Sequence, residues 1–306
     1  AMLIKIIGEL KPDYIVACYD LPEPTYRHEA YEEYKAQRRK ADDELISQME
    51  RSKDVFKAFN IPIYSMPGFE ADDILGTVAE QLKEKDKIKI IIASGDMDTL
   101  QLVVDDSVVV YTLRKGISDT IIYNEEKVIE RYGFGPKLLP DFKGLRGDPS
   151  DNIIGIKGIG EKTATLLITK IGGIEEIYKT LSRSEEKFKE IGLSERQINL
   201  IKEGEEEAVF SKMLATIRKD APIKFKIPTN NWLDTVSLDT TLDLFSELEF
   251  RTLGIRLKEM LFKNGKLEGF QEDALEDNKK ISDVKLKEIA IALWVLNSNI
   301  TNPKEE

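Results

Sequence analysis

KIKIIIASGDMD, residues 87–98, is the stretch on which the fold turns. An apolar run without polar alternation fits a buried parallel strand, covered on both faces, and this one ends in Asp96 and Asp98, where a helix would start. DYIVACYD, residues 13–20, repeats the pattern and ends in Asp20. Between the two runs lie a helical stretch over 42–59, the short strand IPIYSM, and a helix opening at GFEADDILG, residues 68–76. Strand and helix alternating in this way imply an α/β sheet with crossovers, whose ligands bind outside the carboxyl ends of the strands. Asp20, Asp96 and Asp98 all fall on that edge.

GFEADDILG adds Glu70, Asp72 and Asp73. Acids in a first helical turn satisfy free N–H groups and complement the helix dipole, worth ~0.3–1 kcal/mol each, so a capped surface helix is the plainer alternative. Three acids at this spacing, with Glu70 and Asp73 on one face, repel unless a cation or solvent lies between them. GDPSDN adds Asp148 and Asp151, where an ordinary turn is the alternative; for Asp96 and Asp98 it is a helix cap at Asp98. Taken together, four separated segments bring carboxylates to the ends of elements. With a single His28 and a single Cys18 in the chain, such oxygen donors suit Mg²⁺ or Mn²⁺ and not zinc. A pair of such ions can activate a water and stabilise the leaving oxygen in phosphodiester cleavage.

The 306 residues suffice for about two domains, and 33% charged with 41% hydrophobic residues indicate a folded chain. The apolar runs are too short to cross a bilayer, and AMLIKIIGEL reads as an amphipathic helix without a cleavage site, so no membrane partner and a cytoplasmic location are expected. Cys18 can form no internal disulfide. With 45 basic and 56 acidic residues, the net charge of −11 argues against coating nucleic acid through global charge while leaving room for local patches.

Two further stretches supply such patches. In GIKGIGEKTA, residues 155–164, Gly155, Gly158 and Gly160 permit a tight hairpin whose N–H groups approach a phosphate, with Lys162 adding a point charge. With Ile156 and Ile159 the spacing fits a helix-hairpin-helix that grips a nucleic-acid backbone, against the alternative of a plain turn between helices. In YRHEAYEEYKAQRRK, residues 26–40, Tyr26, Tyr31 and Tyr34 alternate with Arg27, Lys35, Arg38, Arg39 and Lys40. Such faces stack on unpaired bases while the cations meet phosphates; the alternative is a solvated helix with i,i+4 pairs. SVVVYT and DTIIYN, joined by a turn at Lys115 and Gly116, read as a hairpin. Beyond residue 124 the pattern is helical, with a long charged helix near 195–218 and one helix over 239–262.

KPDYIVACYD, YRHEAYEEYKAQRRK, GFEADDILG, SGDMDTLQL, GDPSDNIIGIKGIGEKTA and LFSELEFRTL, spread over residues 1–260, together resemble the 5′ nuclease family. Within it they are most similar to the amino-terminal 5′→3′ exonuclease domain of bacterial DNA polymerase I. The resemblance implies an α/β, PIN-like nuclease core with a mostly parallel sheet over 1–124, including an arch over 24–41. A helical DNA-binding portion over 125–262 would follow, with its helix-hairpin-helix at 153–171, then a linker at 263–280 and the start of a proofreading-like domain at 281–306. The implied activity is metal-dependent hydrolysis that trims flaps, nicked duplexes and RNA primers from a 5′ end, by a monomer whose polymerase domain could lie in cis.

By motif match, Asp20, Glu70, Asp72, Asp73, Asp96, Asp98, Asp148 and Asp151 would surround two Mg²⁺ ions, for which Mn²⁺ could substitute; Asp72 and Asp73 are not ranked. Arg27 and Lys35 would be catalytic, gating the 5′ strand and steadying the scissile phosphate with Tyr34 and Arg38. Tyr26, Arg39, Gly155, Lys157, Gly158, Gly160, Lys162 and Thr163 would contact DNA, with K⁺ at the hairpin. The chain departs from the family pattern in opening at AMLIKIIGEL, inside a helix that in the family follows a strand with a further ligand Asp. A fragment that binds branched DNA without cutting it is therefore the alternative expectation.

Overall fold

The computed structural model describes residues 1–38, 42–83, 88–115 and 119–267. The apolar runs form strands as expected: β1 (Ala17–Cys18) lies parallel to β2 (Ile63–Tyr64), and β3 (Ile90–Ala93) parallel to β4 (Val108–Lys115). β4 also pairs antiparallel with β5 (Asp119–Tyr123), giving the expected hairpin, whose Gly116 turn lies outside the described residues. Among the described residues the strands make two sheets, β1–β2 and β3–β4–β5.

The first helices along the chain are α1 (Met2–Leu10), α2 (Tyr26–Ala30), α3 (Asp43–Ala58) and α4 (Ala71–Leu82), with a 3₁₀ helix at Met97–Leu102. The helical portion contains α5 (Glu125–Tyr132), α6 (Leu139–Arg146), α7 (Glu161–Lys170), α8 (Ile174–Leu181), α9 (Glu186–Glu190), α10 (Glu195–Glu203) and α11 (Glu205–Ala215). α12 (Trp232–Thr235), α13 (Leu238–Glu247) and α14 (Leu253–Lys263) complete it. Two expectations need correction. The charged helix near 195–218 breaks at Gly204 into α10 and α11 and is extended by Thr216. The helix over 239–262 is α13 and α14, separated where Glu249 takes a left-handed φ of 56°.

The chain divides into one compact unit of Pro12–Leu244 and another that gathers Leu3–Lys11 with the chain from Phe245. The boundary expected at residue 124 thus falls inside the larger unit. There a continuous core runs from Ile92, Leu100 and Val110 of the sheet region to Leu145, Leu167, Ile177 and Ile201 of the helices. Each such side chain contributes about 1.5–3 kcal/mol by leaving water. The expected linker beyond 267 and the segment 281–306 lie outside the described residues.

One element was not foreseen. From Thr216 to Phe225 the chain runs alongside α4 without helix or strand, and a polar stripe at i, i+4 and i+8 takes the place of a partner strand. Asp73 accepts from the Arg218 N–H (2.8 Å), Thr77 from Ala221 (3.0 Å) and Gln81 from Phe225 (3.1 Å), while the Gln81 amide donates to the Ile223 carbonyl (2.9 Å). Backbone groups that would otherwise be orphaned are satisfied. On the apolar side Ala221 and Ile223 pack against Ile74, Val78 and Leu82. The alternation APIKFKI, residues 221–227, carried the signal.

Gly76 lets this strap approach: a Cβ there would lie 2.8 Å from the Arg218 carbonyl oxygen and 2.9 Å from Ile217 Cγ2. Alanine at 76 improves helix propensity by about 1 kcal/mol, but overpacking typically costs ~1–3 kcal/mol. We expect Gly76→Ala to lower stability by about 1 kcal/mol in urea unfolding; a gain would show that the strap yields freely.

Candidate active site

Each expected acid is placed by a local feature of the chain. Asp20 follows β1, and its carboxylate accepts the Ala71 N–H (2.7 Å) in the first turn of α4. Glu70 is the N-cap of α4. Asp96, not Asp98, caps the 3₁₀ helix after β3, accepting the Asp98 N–H (2.8 Å). Asp148 closes the turn after α6, accepting from the Ser150 N–H (2.9 Å) and hydroxyl (2.6 Å).

Successive helical residues point about 100° apart, and this separates Asp72 from Asp73. Burial, and then the charges of Asp96, Asp20, Glu70 and Asp98, push the Asp72 carboxyl up to about 7. Asp72 therefore faces the acidic edge, beside the repelling carboxylates at the ends of β1 and β3.

Asp73, expected with Asp72 as a metal ligand, faces the other way, into the protein. It is 0% exposed, and its oxygens accept from the Arg27 guanidinium (2.8 and 2.9 Å), the Glu70 N–H (3.0 Å) and the Arg218 N–H. No lone pair is left for a cation. Arg27, expected as a catalytic residue, is held with it: at 3% exposure it also donates to the carbonyls of Leu214 (2.9 Å) and Thr216 (2.8 Å). Arg27 is a buried pin between α2, α4 and the strap.

The expected stacking faces are also committed internally. The Tyr34 ring is buried against His28, and its hydroxyl donates toward Asp151 (3.3 Å) and Glu70 (3.4 Å). Tyr26 lies against Phe69 and under the guanidinium groups of Arg27 (4.6 Å) and Arg218 (5.0 Å). Tyr34 presents no free ring face to a base.

Lys35 and Arg38 do reach the edge. Lys35 Nζ is 2.9 Å from Glu70 and 3.9 Å from Asp151, and the half-exposed Arg38 is 2.5 Å from Asp151. The Lys35 N–H donates to the Asp151 carbonyl (3.0 Å) and the Asn152 amide to the Glu33 carbonyl (2.8 Å), so residues 33–38 are docked on the 148–152 turn. Arg39 and Lys40 lie outside the described residues.

Sequence reasoning missed Lys143. This side chain on α6 ion-pairs with both Asp98 and Asp148. Burial raises the Asp98 carboxyl, with Lys143 pulling against it; at Asp148 the bonds from Lys143 and Ser150 overcome burial and hold the group low. The only signal was a lysine in the last turn of a helix that runs into GDPSDN. The edge thus has two halves. Glu70, Asp98, Asp148 and Asp151 carry basic partners, whereas among the described residues no lysine or arginine ion-pairs with Asp20, Asp72 or Asp96. The donor set, oxygen throughout, fits a hard divalent cation. In spacing, no three candidate ligands among the described residues already stand together as a finished ion site.

The glycine hairpin takes the expected form between α6 and α7. Gly155 has φ 63°, and a Cβ there would lie 2.1 Å from the Gly147 nitrogen, so no other residue fits. Gly158 is also left-handed, at 93°. Gly160 is not: it caps α7 at φ −96° and leaves open space. Ile156 and Ile159 anchor the loop in the core, leaving Lys157 and Lys162 exposed. The Thr163 hydroxyl accepts from the Gln197 amide (3.1 Å).

Carboxylates gathered at strand ends, with a glycine hairpin on the same compact unit, are the features of an α/β nuclease. A family model described as "5'-3' exonuclease, N-terminal resolvase-like domain" matches residues 1–133, and one described as "5'-3' exonuclease, C-terminal SAM fold" matches 134–236. The chain belongs to the 5′-3′ exonuclease family. DNA polymerase I of Bacillus subtilis is 36% identical over 286 residues, covering 92% of this chain and 31% of that protein. DNA polymerase I of Mycobacterium tuberculosis is 38% identical over 265 residues, covering 87% and 28%. The chain thus spans about three tenths of the length of these relatives. Among solved structures, the T5 5′-exonuclease with bound zinc ions aligns with a TM-score of 0.57 at 19% identity, over 86% of this chain and 88% of that one. A bacteriophage T5 flap endonuclease in a pseudo-enzyme-product complex with DNA and metal ions gives 0.57 at 19%, over 85% and 88%. Both show the shared fold.

Proposed function

We propose that this chain is a divalent-metal-dependent 5′→3′ exonuclease and flap endonuclease acting on flapped or nicked duplex DNA and on RNA primers. The observation that carries the reading is Asp72, a carboxyl crowded by Asp96, Asp20, Glu70 and Asp98 with no basic partner among the described residues. Such crowding calls for cations.

In this reading Asp20, Asp72 and Asp96 would hold one Mg²⁺ or Mn²⁺, and Asp98 and Asp148, with Glu70 and Asp151 beside them, a second. When bound, the cations would lower the pKa of an attacking water and offset charge on the leaving oxygen. The remaining work belongs to the chain. The Ala71 and Asp98 N–H groups fix Asp20 and Asp96 in orientation. Lys35 and Arg38, docked on Glu70 and Asp151, stand where a 5′ phosphate would arrive and can exchange carboxylate for phosphate. The exposed Lys157 and Lys162 hold the duplex backbone irrespective of sequence. K⁺ at the hairpin, a monomeric state, a polymerase domain in cis and a cytoplasmic location belong to the same reading.

The test is cleavage of a 5′-labelled flap duplex. Short 5′ fragments are expected with Mg²⁺ and none with EDTA, while binding persists in Ca²⁺. Tight binding without cleavage at any Mg²⁺ concentration would favour the non-catalytic alternative.

A further inference from the structure

The glycine hairpin is held by α10 and α11 at three places. At its head the buried Gly155 N–H donates to the Ser211 hydroxyl on α11 (2.9 Å), and Ser211 is 1% exposed. In the middle, Gly204, where α10 gives way to α11, makes room for Ile156: a Cβ there would lie 2.7 Å from Ile156 Cγ2. At its tail the Gln197 amide of α10 donates to the Thr163 hydroxyl (3.1 Å), while the Gln197 carbonyl accepts the Ser194 N–H (3.0 Å) at the start of the same helix. Apolar packing of Ile156 and Ile159 already anchors the loop, but such packing is non-directional, whereas a hydrogen bond sets an orientation. The two polar ties bracket the exposed Lys157 and Lys162. A grip on phosphates works at hydrogen-bond range, and a loop already held in its bound form is spared the cost of ordering.

We propose that Ser211 is a positioning residue of this grip: through the Gly155 N–H it fixes the orientation in which the hairpin presents Lys157 and Lys162 to a phosphate backbone. This rests on the duplex-holding reading of the hairpin given above. Flap-duplex affinity then depends on a hydroxyl that lies inside the protein and that the strand never touches. Without it the Gly155 N–H is buried with no acceptor, and the backbone on which the lysines ride must turn to find one. Gln197 holds the far end of the loop in the same way, through Thr163.

Fluorescence anisotropy of a labelled 5′-flap duplex in Ca²⁺, measured against salt concentration, tests this. Wild-type affinity is expected to fall as salt rises, through its phosphate contacts. Ser211→Ala should weaken binding about tenfold and flatten the salt slope toward that of Lys157→Ala/Lys162→Ala. Adding Ser211→Ala to that double variant should cost about twofold or less, since both act on the same contacts. Ser211→Cys, close in size and a weak acceptor, should move in the same direction and keeps the test in hand if the alanine variant does not fold. A folded Ser211→Ala that binds as wild type while the lysine double variant weakens overturns the proposal alone. So does a loss that multiplies in the triple variant or leaves the salt slope unchanged, which marks general damage to the fold. A lysine double variant that binds as wild type overturns the hairpin reading and this one with it.

Discussion

Asp72→Asn is expected to abolish flap cleavage, by a factor of about 10³ or more, and at the same time to stabilise the chain in EDTA at pH 8. Both effects follow from where Asp72 points. Its carboxyl titrates at about 7 in the folded chain, because burial and the charges of Asp96, Asp20, Glu70 and Asp98 oppose ionisation. Unfolded, it would titrate near 4. Between those values the native state holds a proton that the unfolded state has released, so wild-type stability falls as pH rises from about 4 through 7. Three units correspond to at most ~4 kcal/mol. Water around the exposed Asp20 and Asp96 screens this, so about 1–3 kcal/mol is expected. An asparagine loses none of it. Urea unfolding in EDTA should find the variant close to wild type at pH 5 and ahead of it at pH 8. A variant that cleaves normally, or is less stable at pH 8, would remove Asp72 from the site.

Its neighbour should behave in the opposite way. Asp73→Ala leaves the Arg27 guanidinium buried without its bidentate partner and frees the Arg218 and Glu70 N–H groups. Breaking a buried pair from one side costs about 3–5 kcal/mol. For a protein of this size the melting temperature should fall by roughly 6–20 °C. Divalent-ion affinity of the folded fraction should not change. The double variant Arg27→Met/Asp73→Leu should recover part of the loss, since apolar replacement of both partners removes the stranded charge. Intact stability with weakened Mn²⁺ binding would instead restore Asp73 as a ligand.

This contrast marks how far the sequence could be read. Two apolar runs ending in aspartates were enough to predict strands β1 and β3, although among the described residues these fall in two sheets and not in the single one expected. GFEADDILG could not rank its acids, since periodicity says that two residues diverge but not what each meets. The partner that decides the matter is the 216–225 strap, distant in sequence and bound through Asp73, Thr77 and Gln81. The alternating aromatic and basic residues of 26–38 matched a nucleic-acid face, yet Arg27 and Tyr34 are drawn inward by Asp73, Glu70 and Asp151. A dense acidic edge competes with phosphate for every nearby cation and hydroxyl. Lys143 escaped notice for a related reason, as nothing in sequence distinguishes a buried helix-end lysine from a solvated one.

The strap's mode of attachment also bears on how such a chain can diverge. Because α4 grips main-chain atoms, the outward-facing positions Pro222 and Lys224 carry little constraint of identity, whereas Arg218, Ala221 and Phe225, whose N–H groups it takes, cannot become proline. Drift by substitution is open at the outer positions of this ribbon and barred to one residue type at the gripped ones.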